Sequence, residues 1–152
     1  HFTFLPKCAA RTKVLLGDAR LTLEHQEPQD FDVLVLDAFS GDAIPTHLLT
    51  REAVQLYLKH LKPDGVLCIH VSNLHFDLRP VVYGLGQAFD MQVAQVHSFD
   101  DDEQLTSSSH WMLLSREPLD PEVLLLAEEL GESTGRKLVW TDEWSNLLSV
   151  LK

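Results

Sequence analysis

The sequence predicts an α/β fold in which a doubly wound, largely parallel sheet ends in an antiparallel hairpin. Short apolar runs at 13–16, 31–36 and 66–71 are typical of buried parallel strands. Helical patterns separate these runs, which is the order expected of βαβ units. Two later runs, at 91–97 and 111–115, leave no room for a helix between them. They are therefore expected to pair as an antiparallel hairpin.

The first two predicted strands each end on an aspartate. The run KVLLGDA at 13–19 reaches Asp18 before a helical stretch, and FDVLVLD at 31–37 ends on Asp37. The second run should be buried on both faces, and the Gly/Ser/Pro loop after it holds Asp42. Ligands of parallel sheets lie at the carboxyl ends of the strands. The two aspartates therefore predict a site, although each could instead only cap the following helix.

Helices are expected on either side of the third strand. The first begins after Thr50, a plausible N-cap, and ends at a turn over 62–65. The second spans 78–89, and a surface helix is expected at 121–130. No repeat, low-complexity segment or domain boundary interrupts the chain, so residues 1–152 should form a single domain.

Composition narrows the classes of function. A net charge of −11 and a pI near 5.0 argue against nucleic acid and anionic membrane surfaces, and would suit a cationic substrate. No apolar run reaches the ~18 residues of a membrane span. Two cysteines form no disulfide framework, which is typical of a cytoplasmic protein. The eight histidines show no ligand spacing, so no metal site is expected.

Several motifs together resemble a known family. The segments GDAR at 17–20, DAFSGDAIP at 37–45, HLLT at 47–50 and GVLCIHVSN at 65–73 are similar to the spermidine synthase-like family. They are most similar to the synthase-like domain that bacteria fuse to transporter segments. The resemblance implies a Rossmann-like fold of the class I S-adenosylmethionine-dependent methyltransferase type. Its glycine-rich first strand and its second strand would lie before residue 1.

The resemblance also implies a nucleoside site. Asp18 corresponds to the carboxylate that accepts the adenine amino group, with Ala19 beside it. Ala38 is assigned to the same cofactor site. The ligand would be decarboxylated S-adenosylmethionine or S-adenosylmethionine, bound as a substrate and without a metal.

An amine site is implied next to the nucleoside. Asp37 corresponds to the residue that helps deprotonate the attacking amine, and Asp42 to a loop carboxylate that holds a cationic amine. Asn73, at the end of a parallel strand, is expected to face the substrate. Polyamine synthases carry D-[ST]-[ST]-D-P at this loop, whereas AFSG separates the two carboxylates here. The identity of the amine therefore stays open.

Aminopropyl transfer from decarboxylated S-adenosylmethionine to a small-molecule amine is the leading function hypothesis, with weak or no activity if the first two strands are absent. The alternatives are a methyltransferase that uses S-adenosylmethionine and a non-catalytic structural or regulatory domain associated with a transporter.

Without the first two strands, the strand that ends at Asp37 would have an unpaired edge. Three arrangements would resolve it: the strand at 13–16 pairs there, two chains form a homodimer across the gap, or the natural protein is longer.

Overall fold

The structure, a computed structural model, describes residues 7–38, 44–99, 107–128, 130 and 137–152. These residues contain five strands, four short α-helices and two 3-10 helices, Thr46–Leu48 and Leu147–Val150. The strands are β1 (Phe31–Leu36), β2 (Leu61–His70), β3 (Gln92–Ser98), β4 (Ser109–Ser115) and β5 (Ala127–Glu128). The helices are α1 (Ala19–Glu24), α2 (Arg51–His60), α3 (Arg79–Ala88) and α4 (Pro121–Leu125).

The strands form one open sheet in the order β1-β2-β4-β3-β5. β1 runs parallel to β2, while β4 is antiparallel to both β2 and β3. The α/β architecture and the antiparallel pair near the end of the chain confirm the predicted fold class. In the parallel pair Leu36 lies opposite Ile69, so that the two strands end side by side.

The hydrophobic core lies between the sheet and helices α2 and α3. Leu34 and Leu36 of β1 are buried in it, together with leucine, isoleucine, valine and methionine side chains of the sheet and both helices. Val33 and Val35 point to the opposite face and are 53% and 57% exposed. The prediction that β1 is buried on both faces is therefore wrong, because the core covers only one side of this strand.

Residues 13–16 do not form the predicted first strand. They lie outside the sheet, and Leu16 is 96% exposed. An apolar run becomes a strand only where another strand accepts its backbone hydrogen bonds. Among the described strands β1 pairs with β2 alone, so the predicted unpaired edge is confirmed and its closure by 13–16 is wrong.

Thr50 caps α2 as expected, its Oγ1 accepting a hydrogen bond from the backbone N–H of Ala53 at 3.2 Å. The predicted turn at 62–65 is absorbed into β2 as an irregularity. Between the Phe31–Leu61 and Val33–Val66 pairs, β2 has more residues than β1. The predicted helix at 78–89 is confirmed by α3.

The predicted helix at 121–130 is wrong in its second half. Helix α4 ends at Leu125, and Ala127 and Glu128 pair with Val96 and Gln95 of β3. The outer edge of β3 offers unpaired backbone donors and acceptors, and this pairing satisfies some of them in place of another helical turn.

The tail at 137–152 packs on the rest of the chain, as its apolar and aromatic residues predicted. Trp140 is fully buried, and its carbonyl accepts a hydrogen bond from the Arg51 N–H at 2.8 Å, which fixes the start of α2. The tail passes so close to α3 that a Cβ at Gly84 would lie 2.2 Å from the Leu138 carbonyl oxygen. Glycine is therefore required at this contact.

Candidate active site

Asp37 lies at the carboxyl end of β1, immediately beside the end of β2. Because Leu36 is opposite Ile69, the next residues, Asp37 and His70, are neighbours on the same face. Asp37 Oδ1 lies 2.9 Å from His70 Nδ1. The Asp37 side chain is 56% exposed and that of His70 21%, so the imidazole is the more sheltered partner.

A second hydrogen bond extends this pair to Ser72. His70 Nε2 lies 2.8 Å from Ser72 Oγ, and the backbone N–H of His110 donates to the same oxygen at 2.7 Å. The ring of Trp111, the β4 residue paired with His70, lies 4.9 Å from the imidazole between centroids and restricts its orientation. Three side chains from two strand ends thus form one ordered polar chain.

A cavity of about 480 Å³ adjoins Ser72, the last of these three hydrogen-bonded side chains. Its walls include Ser72, Asn73, Asp77, Arg79, His110 and Lys152. Arg79 Nε and Nη2 donate to the two carboxylate oxygens of Asp77 at 2.7 and 2.9 Å. Burial opposes the charged form of Asp77, yet these bonds hold the pKa of its carboxyl below the usual range. The cavity therefore has polar walls and a fixed ion pair.

His110 contributes a sheltered imidazole to the cavity wall. Its ring stacks on that of His97 with centroids 3.9 Å apart. Burial, and next the charge of His97, lower the pKa of His110. Its Nδ1 is buried without a hydrogen-bond partner among the described residues. Near neutral pH this ring is uncharged and presents one unused polar atom.

Asn73 lines the cavity, but its amide oxygen already has backbone partners. Oδ1 accepts hydrogen bonds from the N–H groups of His75 and Phe76, both at 2.9 Å. Lys152 Nζ donates to the Asn73 carbonyl at 2.6 Å, which ties the tail to the same loop. These contacts shape the wall of the cavity, and the substrate role of Asn73 stays a prediction.

Asp18 caps a helix. Its Oδ1 accepts from the Leu21 N–H at 2.9 Å at the start of α1, whose first residue is Ala19, and its Oδ2 lies 2.9 Å from His47 Nε2. The Leu21 bond, followed by the His47 bond, lowers the pKa of Asp18. The expectation that Asp18 follows a strand is wrong, since 13–16 is not one, whereas its alternative role as a cap is confirmed.

Arg20 joins three separate parts of the chain beside Asp18. Its guanidinium donates to both carboxylate oxygens of Asp142 at 2.7 and 2.6 Å and to the His47 carbonyl at 2.8 Å. Asp142 Oδ1 also accepts from Thr50 Oγ1 at 2.8 Å. The Arg20 bond, the largest influence, lowers the pKa of Asp142. A second cavity of about 220 Å³ lies against this cluster.

Acid is expected to weaken the link between Arg20 and Asp142. A carboxyl with a lowered pKa binds fewer protons in the folded state than in the unfolded state. Its stabilisation is present above the unfolded pKa, near 4, and is lost as pH falls through the lower folded value. The melting temperature should fall as the pH is lowered from about 5 to about 2, and less steeply in Asp142→Asn. Asp64→Asn, an exposed residue of β2, is the control, and an unchanged slope in Asp142→Asn would contradict the expectation.

The structure groups the predicted residues into two clusters. Asn73 lines the larger cavity, and Asp37 is connected to its wall through His70 and Ser72. Ala38 follows Asp37 as an exposed residue. Asp18 belongs to the Arg20 cluster, and no hydrogen bond or ion pair within the described ranges joins it to Asp37. Asp42 lies outside the described residues.

Sequence reasoning missed His70 and Ser72 as functional candidates. The signal was present, because each of two apolar runs ends in a polar residue, Asp37 in the first and His70 in the second. Placing those two runs side by side in parallel would have brought the two residues together. Ser72, two residues beyond His70, would then have lain on the same face if the chain stayed extended.

The part of the chain that the structure describes contains neither a metal-binding cluster nor a membrane-spanning helix. No group of three or more His, Cys, Asp or Glu side chains there is arranged to hold a metal ion, and the metal-free site stays a prediction. Within the same residues, no helix has the length and apolarity that crossing a bilayer requires.

Comparison with known proteins adds an independent line of support. No protein-family model matches the chain. A polyamine aminopropyltransferase from Vibrio vulnificus (strain CMCP6) is 39% identical over 69 residues, covering 44% of this chain and 22% of the relative.

Two solved structures are similar in fold. A probable spermidine synthase from Corynebacterium glutamicum aligns with a TM-score of 0.57 and 23% identity, over 78% of this chain and 44% of that one. The spermidine synthase of Thermotoga maritima aligns with a TM-score of 0.55 and 17% identity, over 93% and 47%. The chain spans less than half the length of each of these proteins. The sequence match makes part of this chain similar to a polyamine aminopropyltransferase, and the two structural alignments show that it shares the α/β fold of these spermidine synthases.

Proposed function

We propose that this chain takes part in aminopropyl transfer from decarboxylated S-adenosylmethionine to an amine. One observation carries the proposal: Asp37, at the carboxyl end of a parallel strand, contacts His70, and His70 in turn contacts Ser72 in the wall of a cavity of about 480 Å³. The names of the similar proteins, a polyamine aminopropyltransferase and two spermidine synthases, support the same chemistry.

The reaction requires a base close to the nucleophile. An amine attacks only through a neutral nitrogen, and this nitrogen becomes positively charged as the new C–N bond forms and the C–S bond of the donor breaks. A carboxylate or imidazole must therefore accept the surplus proton. Asp37 and His70 are the described groups that combine basic atoms, mutual hydrogen bonding and a place at the strand ends. They would deprotonate the amine and hold it in line with the donor carbon.

The nucleoside end of the donor is assigned to the cluster around Asp18. Each oxygen of this carboxylate already makes one hydrogen bond and keeps a lone pair that an adenine amino group could use. Asp18→Asn is the sharpest probe, because asparagine is as good an N-cap as aspartate. It preserves the start of α1 while replacing one acceptor with a donor.

Calorimetric titration with 5′-methylthioadenosine and with decarboxylated S-adenosylmethionine tests this assignment. Both ligands should bind the unaltered chain, and Asp18→Asn should weaken them about tenfold or more, the cost of a lost charged hydrogen bond. Asp120→Asn is the matched control, because Asp120 caps α4 in the same way, accepting from the Glu122 N–H at 2.8 Å. Equal affinities in the two variants would leave Asp18 a helix cap only. No binding to a chain that melts cooperatively would overturn the nucleoside site.

Methyl transfer is the second candidate, favoured by the charges of the larger cavity. The described residues of its wall include two cations, Arg79 and Lys152, and one side-chain carboxylate, that of Asp77. This carboxylate is already paired with Arg79. A polycation would find little uncompensated negative charge there. Incubation with each donor decides between the two: S-adenosylmethionine yields a methylated amine, decarboxylated S-adenosylmethionine an aminopropyl product. Nucleoside binding without either product would favour the non-catalytic role.

A cytoplasmic location is part of the proposal. Cys8 is exposed and Cys68 is half-buried, and both thiols are free. Burial raises the pKa of the Cys68 thiol, which keeps it protonated and unreactive.

A further inference from the structure

We propose that His70, held by Asp37 and linked to the cavity by Ser72, carries the proton that leaves the amine. The inference rests on the proposed transfer reaction and specifies which group accepts the proton. Asp37 would remain a carboxylate throughout and serve to position the imidazole and stabilise its positive charge.

The hydrogen-bond chain fixes the tautomer of His70. An ionised carboxylate only accepts hydrogen bonds, so the contact of 2.9 Å with Asp37 Oδ1 requires the proton of the neutral ring to lie on Nδ1. Nε2 is then an acceptor, and at 2.8 Å it receives the hydroxyl proton of Ser72. The basic atom of the imidazole therefore faces Ser72 and not Asp37.

Ser72 connects that basic atom to the cavity. Its oxygen donates its one proton to His70 and accepts from the His110 N–H at 2.7 Å, which leaves one lone pair unused in this pattern. Ser72 is also part of the cavity wall. An amine bound there could donate an N–H to this remaining lone pair.

Every proton and bond in the transfer through Ser72 and His70 is accounted for. As the amine nitrogen forms its new C–N bond, its proton passes to Ser72 Oγ while the hydroxyl proton of Ser72 passes to His70 Nε2. The products are a neutral amine, an intact serine, and an imidazolium paired with the Asp37 carboxylate. The C–S electron pair leaves with the thioether, and no further reactant is needed.

The chemistry of the two side chains favours imidazole as the acceptor. General bases work best when their pKa lies near the working pH, and imidazole ordinarily titrates near 6.5, whereas a carboxyl ordinarily titrates near 4. His70 is also better sheltered, with 21% of its side chain exposed and a tryptophan ring against it. A proton on this ring is less open to bulk water than one on Asp37.

Three substitutions separate a proton carrier from a structural residue. His70→Gln keeps a donor for Asp37 and an acceptor for Ser72 but cannot take up a proton. It should lower kcat about 100-fold or more, with little change in KM or nucleoside affinity. Ser72→Ala should lower kcat in the same way, and Ser72→Thr, which restores the hydroxyl, should recover most of it. His25→Gln is the matched control, because His25 lies at the end of α1, bonded to the Leu21 carbonyl.

Each outcome bears on one claim. Transfer that survives His70→Gln within about threefold would overturn the relay and leave Asp37 as the direct base. An unaltered chain that binds both nucleosides but transfers nothing to any amine would overturn the proposed function itself. Nitrogen-15 NMR of the ring gives a readout independent of turnover: the Nδ1–H tautomer is expected at His70. An Nε2–H tautomer would overturn the inference even in an active enzyme.

Discussion

Replacing Asp37 with asparagine is expected to lower kcat for the proposed transfer by about 10²–10⁴-fold, the range that a positioned acid or base contributes. The loss has the same sign whether Asp37 takes the proton or holds His70, because asparagine carries no charge to do either. Its amide can also turn its N–H₂ towards His70 and impose the wrong tautomer on the ring.

Steady-state kinetics, together with nucleoside calorimetry, measure this effect. Affinity for 5′-methylthioadenosine should stay within about twofold, because Asp18 and not Asp37 is assigned to the nucleoside. Asp32→Asn is a suitable control from the same strand, since Asp32 bonds Lys62 at the other end of β1. A kcat for Asp37→Asn equal to that of the unaltered chain would remove Asp37 from the mechanism.

The largest expected loss of stability follows from truncating Trp140. Its side chain is fully buried in the core, and its removal to alanine should cost about 3–5 kcal/mol of the free energy of unfolding. Domains of this kind have only about 5–15 kcal/mol in total. The tail and the start of α2, joined through the Trp140 carbonyl, should loosen together.

Urea unfolding with two further variants tests this expectation. Trp144, four residues along the tail, is 51% exposed, and Trp144→Ala should change stability by no more than about 0.5 kcal/mol. Trp140→Phe should cost less than Trp140→Ala, because it keeps a ring and removes an Nε1–H that has no partner among the described residues. Equal midpoints for the two alanine variants would show that the buried side chain of Trp140 stabilises the fold no more than the exposed side chain of Trp144.

Local sequence signals predicted those elements whose structure is decided locally. The caps at Thr50 and Asp18 follow from side chains that accept hydrogen bonds from the backbone N–H three residues ahead. The pairing of β3 with β4 follows from a connection too short for a helix. The resemblance to the spermidine synthase-like family is supported by the sequence and fold comparisons, but the individual site assignments stay predictions.

Elements that depend on distant partners were less predictable. The run at 13–16 is apolar enough for a strand. It does not pair with the free edge of β1, and its own residue types give no sign of this. Likewise, Ala127 and Glu128 continue a helical pattern, and only the free edge of β3 draws them into the sheet. His70 could not be recognised from the sequence until β1 and β2 were known to be adjacent.

Asp37 lies at the end of an edge strand, so the contact between Asp37 and His70 is expected to open and close with the strand. β1 has one neighbour among the described strands, so its detachment breaks a single ladder and exposes Leu34 and Leu36, while the pairing of β2, β4 and β3 is kept. Each such opening would carry Asp37 away from His70 and inactivate the site without unfolding the whole domain.

If β1 opens in this way, its amide protons should exchange with solvent faster than those of the central β2. Binding of a ligand at the strand end would slow this exchange. A ligand or neighbouring chain that covers this edge would raise the fraction of time the site is assembled, and hence its apparent rate, without touching a reacting atom.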